Sequence, residues 1–252
     1  MEHLLTNSQA ALFFSNGDNA FVQSVNFLQE LPYLSFLEVT LLGVPLFIHG
    51  LWGIAVIRSA SYNSLKTDGS APSLGIYRRN RAYTWQRWTG LFLLLAIGAH
   101  VIEMRFIERP LPIEWKGRDY YLIKVEADKR LEPLAHQLGV EIYYNNLKNL
   151  KEEWLLEPGE AFALSPSFGT AELLVVREAF KGIGETILYT LLVLAACYHG
   201  FNGLWTCMIT WGIATTEKGR RIMQSIAVGL MLLVALLGLT TIWGVHLYTY
   251  GT

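Results

Sequence analysis

Residues 186–216 read TILYTLLVLAACYHGFNGLWTCMITWGIATT and contain no charged side chain. Residues 222–252 are also free of charge. A helix crosses the hydrocarbon core of a bilayer with about 20 mostly apolar residues, and both stretches are longer than that. Neither stretch shows the strict alternation of apolar and polar residues that a membrane barrel strand requires. Both are therefore predicted to be membrane-spanning helices.

The composition of the whole chain agrees with a membrane protein. Of the 252 residues, 52% are hydrophobic and 16% are charged, whereas an average soluble protein has about 25% charged residues. Of the 41 charged residues, 24 lie between Glu108 and Glu185. This composition excludes an ordinary soluble enzyme, a disordered chain and a secreted disulfide scaffold. The net charge of −1 argues against a nucleic-acid partner.

Two more apolar segments precede these stretches. The first covers about 32–57 and contains Pro45, which a membrane helix tolerates as a kink. The second covers about 83–106. With the later segments at about 183–215 and 222–250, they predict an all-α integral membrane bundle with four complete transmembrane helices.

Basic residues are concentrated in two connecting loops. The loop at 58–87 contains a single acid, Asp68, against Arg58, Lys66, Arg78, Arg79, Arg81 and Arg87. The loop after the third helix contains Lys218, Arg220 and Arg221. Because cytoplasmic loops collect Lys and Arg, we expect both loops on the inner side and the segment 108–182 on the outer side.

The segment 108–182 is predicted to be a small extracytoplasmic α+β insert. Three stretches rich in β-forming residues are predicted to be strands: 120–125 (YYLIKV), 140–144 (VEIYY) and 172–176 (ELLVV). Residues 130–138 are predicted to be helical. The insert has no catalytic constellation, and His136 lies among charged residues, which favours an exposed histidine.

Residues 1–31 conflict with this orientation. The first complete helix would run from outside to inside, so the chain must begin outside. However, residues 1–14 (MEHLLTNSQAALFF) lack the basic start and cleavage site of a signal peptide. Either a membrane helix precedes Met1 or the chain uses an atypical start. We favour the first interpretation, in which residues 1–31 are the stub of a truncated fifth helix followed by a loop.

Three histidines lie within consecutive predicted helices, namely His49, His100 and His199. Ionisable residues inside a membrane are costly and are candidate functional residues, although a single membrane histidine is often only hydrogen-bonded to a neighbouring helix. One imidazole from each of two facing helices can ligate a haem. His49 and His199 lie toward the inner side and could share one haem. His100 lies toward the outer side, where His3 in the predicted stub could be its partner.

Small and basic residues near these histidines fit a flat macrocycle. Gly53 and Gly203 each follow a histidine by four residues. They would let a porphyrin approach the backbone, or they would simply let the helices pack closely. Arg87 is the basic residue best placed to pair with haem propionates. The alternative is that Arg87 only anchors the chain at the inner membrane surface.

The order and spacing of three stretches resemble a known family: LPYLSFLEVTLLGVPLFIHGLWG (31–53), YTWQRWTGLFLLLAIGAHVIEMR (83–105) and YHGFNGLWTCMITWGIATT (198–216). The combination of QRWTG, a later His-x-x-Glu and His-x-x-NGLW is specific. With the final helix, these stretches cover a little over a third of the chain. They are similar to the di-haem cytochrome b subunit of succinate:quinone oxidoreductase. The similarity is to the type found with menaquinone in Gram-positive bacteria and in some fumarate reductases.

The resemblance implies five membrane helices and four haem-ligating histidines. An inner haem b would lie between His49 and His199, and an outer haem b between His3 and His100. Almost all of the family's first helix is absent from this chain, and the outer insert is much longer than the loop usual in the family. His246 matches no family ligand and is interpreted as a hydrogen-bonded or interfacial histidine.

The resemblance also implies electron transfer rather than carbon chemistry. A cytoplasmic flavoprotein would oxidise succinate, and an iron–sulfur subunit would dock on the inner face at 58–82 and 216–221. Electrons would pass through the haems to menaquinone or another quinone. Because quinone reduction takes up protons, Glu38 and Glu103 are candidate carboxylates at the quinone site. The protein would then lie in the cytoplasmic membrane of a bacterium.

Three alternative functions stay open. One is a di-haem cytochrome b that serves another quinone-linked enzyme, such as a hydrogenase, formate dehydrogenase or nitrate reductase. Another is a haem-free membrane anchor, in which the missing helix reflects a loss of ligation. The third is a transporter or channel subunit, which the lack of an internal inverted repeat disfavours.

Overall fold

The computed structural model describes residues 2–16, 19–65, 68–69, 72–147 and 154–250. The chain divides into two compact units. The first, named the helical unit, consists of Tyr33–His100 and Leu191–Leu236. The second, named the insert unit, consists of Met1–Pro32, Val101–Thr190 and Leu237–Thr252.

Helices dominate both units. In chain order they are α1 (Glu2–Asn16), α2 (Ala20–Gln29), α3 (Leu34–Ser59), α4 (Arg78–Ile107), α5 (Leu131–Leu138), α6 (Phe168–Ala179), α7 (Ile183–Thr210) and α8 (Glu217–Tyr250). Within the described residues, α3, α4, α7 and α8 are long and apolar enough to cross a membrane. This confirms the predicted class, a membrane helix bundle with a small insert.

Two of the long helices contain a π-helical segment. In α3 this segment is Glu38–Gly43, which ends two residues before Pro45. Proline has no N–H, and its ring crowds the carbonyl one turn earlier, so a wider turn relieves the clash. In α4 the segment is Glu103–Ile107, at the end of the helix. It closes with a bond from the Glu108 amide to the Glu103 carbonyl, at 2.8 Å.

The third membrane helix is shorter than the sequence predicts. It ends at Thr210 rather than near residue 215. Gly212 takes a left-handed φ of 71°, which is the usual conformation just past a helix end. The amides of Ile213 and Ala214 bond back to the Met208 carbonyl, at 3.0 and 2.9 Å. These bonds turn the chain out of the helix.

The insert contains a four-stranded antiparallel sheet with the order β1-β2-β4-β3. The strands are β1 (Leu111–Trp115), β2 (Arg118–Glu126), β3 (Glu141–Tyr143) and β4 (Glu160–Ser165). Lys116 and Gly117, at φ of 51° and 76°, form the two-residue turn between β1 and β2. Leu122, Phe162 and Leu164 are fully buried at the centre of the sheet, and α6 packs against β2 and β4.

The secondary structure predicted for the insert is partly right. Residues 120–125 lie in β2, residues 140–144 overlap β3, and residues 130–138 contain α5. The strand predicted at 172–176 is wrong, because these residues lie in α6. Ser167 caps this helix by accepting a hydrogen bond from the Thr170 amide at 3.2 Å. The β-branched pair that suggested a strand is outweighed by the cap and by the burial of the helix on nearly every side.

Strands β1 and β4 were not predicted. The residues of β4 from Ala161 to Ser165 are all buried, so they lack the alternation that marks a half-exposed strand. In β1, Pro112 obscures the pattern. Because β1 is an edge strand, it tolerates a proline that cannot donate to the ladder.

Residues 1–31, predicted to be a helix stub and a loop, form α1 and α2 in the described part. Ala11 of α1 packs against Gly244 of α8 so closely that a Cβ on Gly244 would lie 2.8 Å from the Ala11 Cβ. Asn26 of α2 accepts a hydrogen bond from the Gly169 amide of α6 at 2.7 Å. That α1 is the end of a membrane helix stays a prediction.

A buried ion cluster ties α6 to the segment after β2. Arg177 is fully buried and pairs with Asp128 and Glu178. Lys181 also contacts these two acids, at 2.8 and 2.9 Å. Burial opposes ionisation of Asp128, but the hydrogen bond from Lys181 and the charge of Arg177 lower its pKa to about 2. The insert is therefore held together by charge as well as by its apolar core.

Candidate haem-binding site

His49 of α3 and His199 of α7 lie side by side in the helical unit. Their ring centres are 6.0 Å apart, and the ring planes meet at 86°. Two imidazoles on opposite sides of one metal ion, each bonded at about 2 Å, have ring centres roughly 6 Å apart. The structure therefore brings together the two histidines whose depth in the sequence suggested a shared ligand.

The surroundings of His199 select one tautomer of its ring. The His199 Nδ1 lies 3.1 Å from the backbone carbonyl oxygen of Gln86 in α4. Because a carbonyl oxygen can only accept, Nδ1 must carry the proton. The Thr89 hydroxyl lies 3.2 Å from the same nitrogen and also bonds the Trp85 carbonyl, at 2.8 Å. The tautomer leaves the lone pair on Nε2, where a metal can bind.

Glycines provide the space for these contacts. A Cβ on Gly90 would lie 2.9 Å from the His199 Cε1, so only glycine lets the ring rest against α4. A Cβ on Gly203 would lie 3.4 Å from the Gln86 Nε2, which places the predicted site residue Gly203 beside an amide. A Cβ on Gly53 would have no described atom within 4 Å. Gly53 therefore borders open space, one turn after His49.

An apolar pocket lies on the His49 side. It is open to the surface and is lined by Val44, Pro45, Ile48, His49 and Trp52, of which Ile48 and Trp52 are 60% and 74% exposed. No group of three or more His, Cys, Asp or Glu side chains able to hold a metal ion occurs among the described residues. A haem iron needs only axial protein ligands. Two imidazoles next to an apolar pocket therefore fit a haem better than a bare metal ion.

Arg87 lies in the first half of α4 and is buried, with 4% of its surface exposed. Its guanidinium donates to the carbonyls of Ala60 and Ser61, at 3.2 and 3.1 Å. It also lies over the rings of Tyr62 and Tyr83, at 4.0 and 4.7 Å. The Arg87 Nε has no hydrogen-bond partner within the described chain. Arg87 thus anchors the segment that follows α3 and retains one donor that a propionate could use.

The predicted outer pair is divided between the two units. His100 lies in α4 within the helical unit, and His3 lies in α1 within the insert unit. The His3 Nε2 lies 3.1 Å from the Asn7 amide nitrogen. The pairing of His3 with His100 around a second haem stays a prediction.

The two candidate proton-carrying carboxylates share a structural feature. Glu38 and Glu103 are each the first residue of a π-helical segment, a feature that is frequent at functional sites. Glu103 accepts a hydrogen bond of 2.9 Å from the hydroxyl of Tyr189, which is 8% exposed. Tyr189 was not singled out in the sequence.

His246 has a structural environment in the insert unit. Its Nδ1 bonds the Phe180 carbonyl at 2.8 Å and lies 3.2 Å from the Thr186 hydroxyl. Its interpretation as a hydrogen-bonded histidine is therefore confirmed.

Four residues around His199 escaped sequence reasoning: Gln86, Thr89, Gly90 and Asn202. Gln86 and Asn202 belong to the quoted motifs, but nothing in the sequence assigned them a role. The available signal was helical spacing, because Gln86 and Gly90, like His199 and Gly203, are four residues apart and share one helix face.

The sequence is 24% identical over 243 residues to the succinate dehydrogenase cytochrome b558 subunit of Bacillus subtilis (strain 168). The match covers 96% of this chain and 86% of the relative. The chain is a distant relative of this cytochrome b subunit. No protein-family model and no solved structure match it. The similarity agrees with the family resemblance drawn from the sequence, and it extends over nearly the whole chain.

Proposed function

We propose that this chain is the haem b-containing membrane anchor subunit of a bacterial succinate dehydrogenase. It would pass electrons between an iron–sulfur subunit and menaquinone or another quinone, while a flavoprotein subunit oxidises succinate. The observation that carries the proposal is the pair of imidazoles 6.0 Å apart, of which His199 has its proton held on Nδ1. The similarity to a succinate dehydrogenase subunit favours this enzyme over other quinone-linked partners.

Haem supplies one-electron redox chemistry when it is bound. His49 and His199 would hold the haem at the inner site, and Val44, Ile48 and Trp52 would give it an apolar surface beside His49. Gly53 would let the macrocycle approach α3, and the unpaired nitrogen of Arg87 would meet a propionate. On the outer side, His3 and His100 would ligate a second haem.

The inner loops support docking of a partner protein. Ile76 and Tyr77, between α3 and α4, are 80% and 57% exposed, and Trp211, after α7, is 78% exposed. Exposed aromatic and aliphatic side chains beside arginines are typical of the centre of a protein interface. We assign this face to the iron–sulfur subunit. A haem-free anchor with the same docking face is the second candidate function.

The haem content of membranes that contain this chain with its two partner subunits tests the proposal. We expect a b-type signal in the reduced-minus-oxidised spectrum. His49→Ala and His199→Ala should each abolish the inner-haem component, because each removes one axial ligand. His136→Ala, on the exposed face of α5, is the matched control and should keep the full signal.

Other outcomes would discriminate among the alternatives. No b-type absorbance in the parent chain would overturn the proposal and favour the haem-free anchor. A haem signal without copurifying flavin would favour a different quinone-linked partner. A remaining component that disappears in His100→Ala would support the outer haem.

A further inference from the structure

Three hydrogen bonds join Gln86 of α4 to His199 and Asn202 of α7. We call this set of bonds the bracket. We infer that Gln86 and Asn202 are positioning residues that hold the His199 imidazole in the orientation needed for iron ligation. The inference rests on the proposed function, because it concerns how one of the two axial ligands is set. It goes further in assigning roles to residues that touch neither iron nor quinone.

The side chain of Gln86 makes two hydrogen bonds to α7. Its Nε2 donates to the backbone carbonyl of His199 at 2.9 Å, and its Oε1 accepts from the Asn202 side-chain nitrogen at 2.8 Å. Both ends of this amide are therefore bonded to the same turn of α7. A helix bound in this way at residues 199 and 202 cannot slide or rotate past Gln86 without losing both bonds.

The backbone of Gln86 acts on the ring itself. Its carbonyl oxygen accepts from the His199 Nδ1 at 3.1 Å. One residue thus fixes the α7 backbone with its side chain and the imidazole tautomer with its carbonyl. Metal-ligating histidines commonly donate their second nitrogen to a carbonyl, which orients the ring and raises its basicity.

The two helices fit together reciprocally at this point. The ring of His199 rests on Gly90, four residues after Gln86, and the amide of Gln86 lies beside Gly203, four residues after His199. Each helix therefore has a glycine where the other presents its polar group. Small residues at such contacts let membrane helices approach closely enough to form hydrogen bonds.

His49 lacks a comparable bracket. Within the described residues, the His49 ring packs edge-on against the His199 ring and makes no hydrogen bond. The orientation of the His199 ring is thus fixed by hydrogen bonds within the protein, whereas the orientation of the His49 ring is not. Disturbing the bracket should therefore change the properties of a bound haem before it abolishes binding.

Two substitutions test the bracket in the assembled complex. Gln86→Met and Asn202→Leu remove the amide contacts while keeping similar side-chain volume. We expect both to retain haem, to raise its midpoint potential and to shift the low-spin g-values. A loosened Nδ1 hydrogen bond makes the imidazole a weaker electron donor to ferric iron. The double variant should shift these values no further than Gln86→Met alone, because the two side chains act as one unit.

Gly90→Ala tests the contact under the ring. The added Cβ meets the imidazole at 2.9 Å, so the ring must move, and we expect the inner-haem signal to be lost or strongly shifted. Gly229→Ala is its control, because a Cβ there meets no described atom within 4 Å. Gln224→Met, on an exposed face of α8, is the control for Gln86→Met. Both controls should match the parent chain.

The results separate this inference from the proposed function. A parent chain without haem overturns both. A parent chain whose haem requires His49 and His199, but whose potential and g-values are unchanged in Gln86→Met and Asn202→Leu, overturns the bracket alone. Shifts of equal size in Gln224→Met would also overturn it, because the effect would then not depend on His199.

Discussion

At the residue scale, the polar contacts of Glu103 define a second candidate site, one suited to proton transfer. Its carboxylate accepts a hydrogen bond from Tyr189, and Tyr189 packs edge-on against Phe180 with ring centres 5.3 Å apart. A carboxylate next to a buried phenol can accept and release a proton while the phenol keeps it oriented. These contacts support the proposed role of Glu103 at a quinone site.

Glu103→Gln should keep the haem spectrum but lower quinone turnover, because an amide cannot carry the proton. A reduction of about 10²-fold is typical for a lost general acid or base. Glu38→Gln is tested in parallel, and we expect at least one of the two to show the loss. Succinate-dependent quinone reduction in the assembled complex is the measurement. Glu217→Gln, at the exposed start of α8, is the control, and unchanged turnover in both test variants would reject the proton role.

At the element scale, α6 has a stabilising N-terminal cap at Ser167 and a largely buried carboxylic acid at Glu172. Ser167 caps the helix, and Ala171, Leu173 and Leu174 are fully buried. Burial of Glu172 in the same helix raises its pKa to about 7, although the charges of Arg109 and Arg105 oppose the shift. The helix therefore contains an acid that favours its neutral form.

Glu172→Gln should stabilise the insert above pH 7 and change little near pH 4. Because the pKa of Glu172 is raised on folding, its favourable contribution is complete below the unfolded value near 4.5. That contribution is lost as the pH rises through about 7. The gain at pH 8 should be at most about 3 kcal/mol. Hydrogen exchange of α6 amides in the full chain, compared with the parent at each pH, measures this gain.

The exposed Glu114→Gln is the matched control for this measurement, since it removes a carboxylate from the same insert. It should leave the exchange of α6 unchanged. A gain for Glu172→Gln of the same size at pH 4 and pH 8 would contradict the pH argument. It would point instead to an effect of side-chain packing.

At the scale of the whole molecule, the distribution of charge predicts its orientation in the membrane. The basic loops at 58–87 and 216–221 should face the cytoplasm, and the insert at 108–182 should face outward. Intervening apolar helices of 26 to 33 residues give each segment a fixed side. The prediction concerns the arrangement of the entire chain and cannot be tested by a single contact.

Single cysteines test this orientation in a chain in which Cys197 and Cys207 are replaced by serine. Asp119→Cys, exposed in β2, should react with a membrane-impermeant maleimide in intact spheroplasts. Lys218→Cys, exposed at the start of α8, should react only after the membrane is permeabilised. The reverse pattern would overturn the orientation and with it the assignment of an inner and an outer haem.

The sequence by itself determined the class of the molecule and the region of its candidate site. Whether a segment can span a bilayer depends on its own length and polarity, so α3, α4, α7 and α8 could be predicted without any knowledge of packing. The same local reasoning found His49 and His199, because a titratable residue within an apolar run is conspicuous. It failed for residues 172–176, where the tertiary environment outweighed β-forming composition.

Tertiary structure alone decided which groups complete the site. Gln86 and His199 are 113 positions apart, and Glu103 and Tyr189 are 86 apart. No periodicity within one helix reveals which face of another helix it will meet. Helix packing determines the tautomer of His199 and the need for glycine at Gly90. It also determines the hydrogen bond from Tyr189 to Glu103. The physical reason is that propensity and hydropathy are local, whereas a hydrogen bond between helices exists only after they have packed.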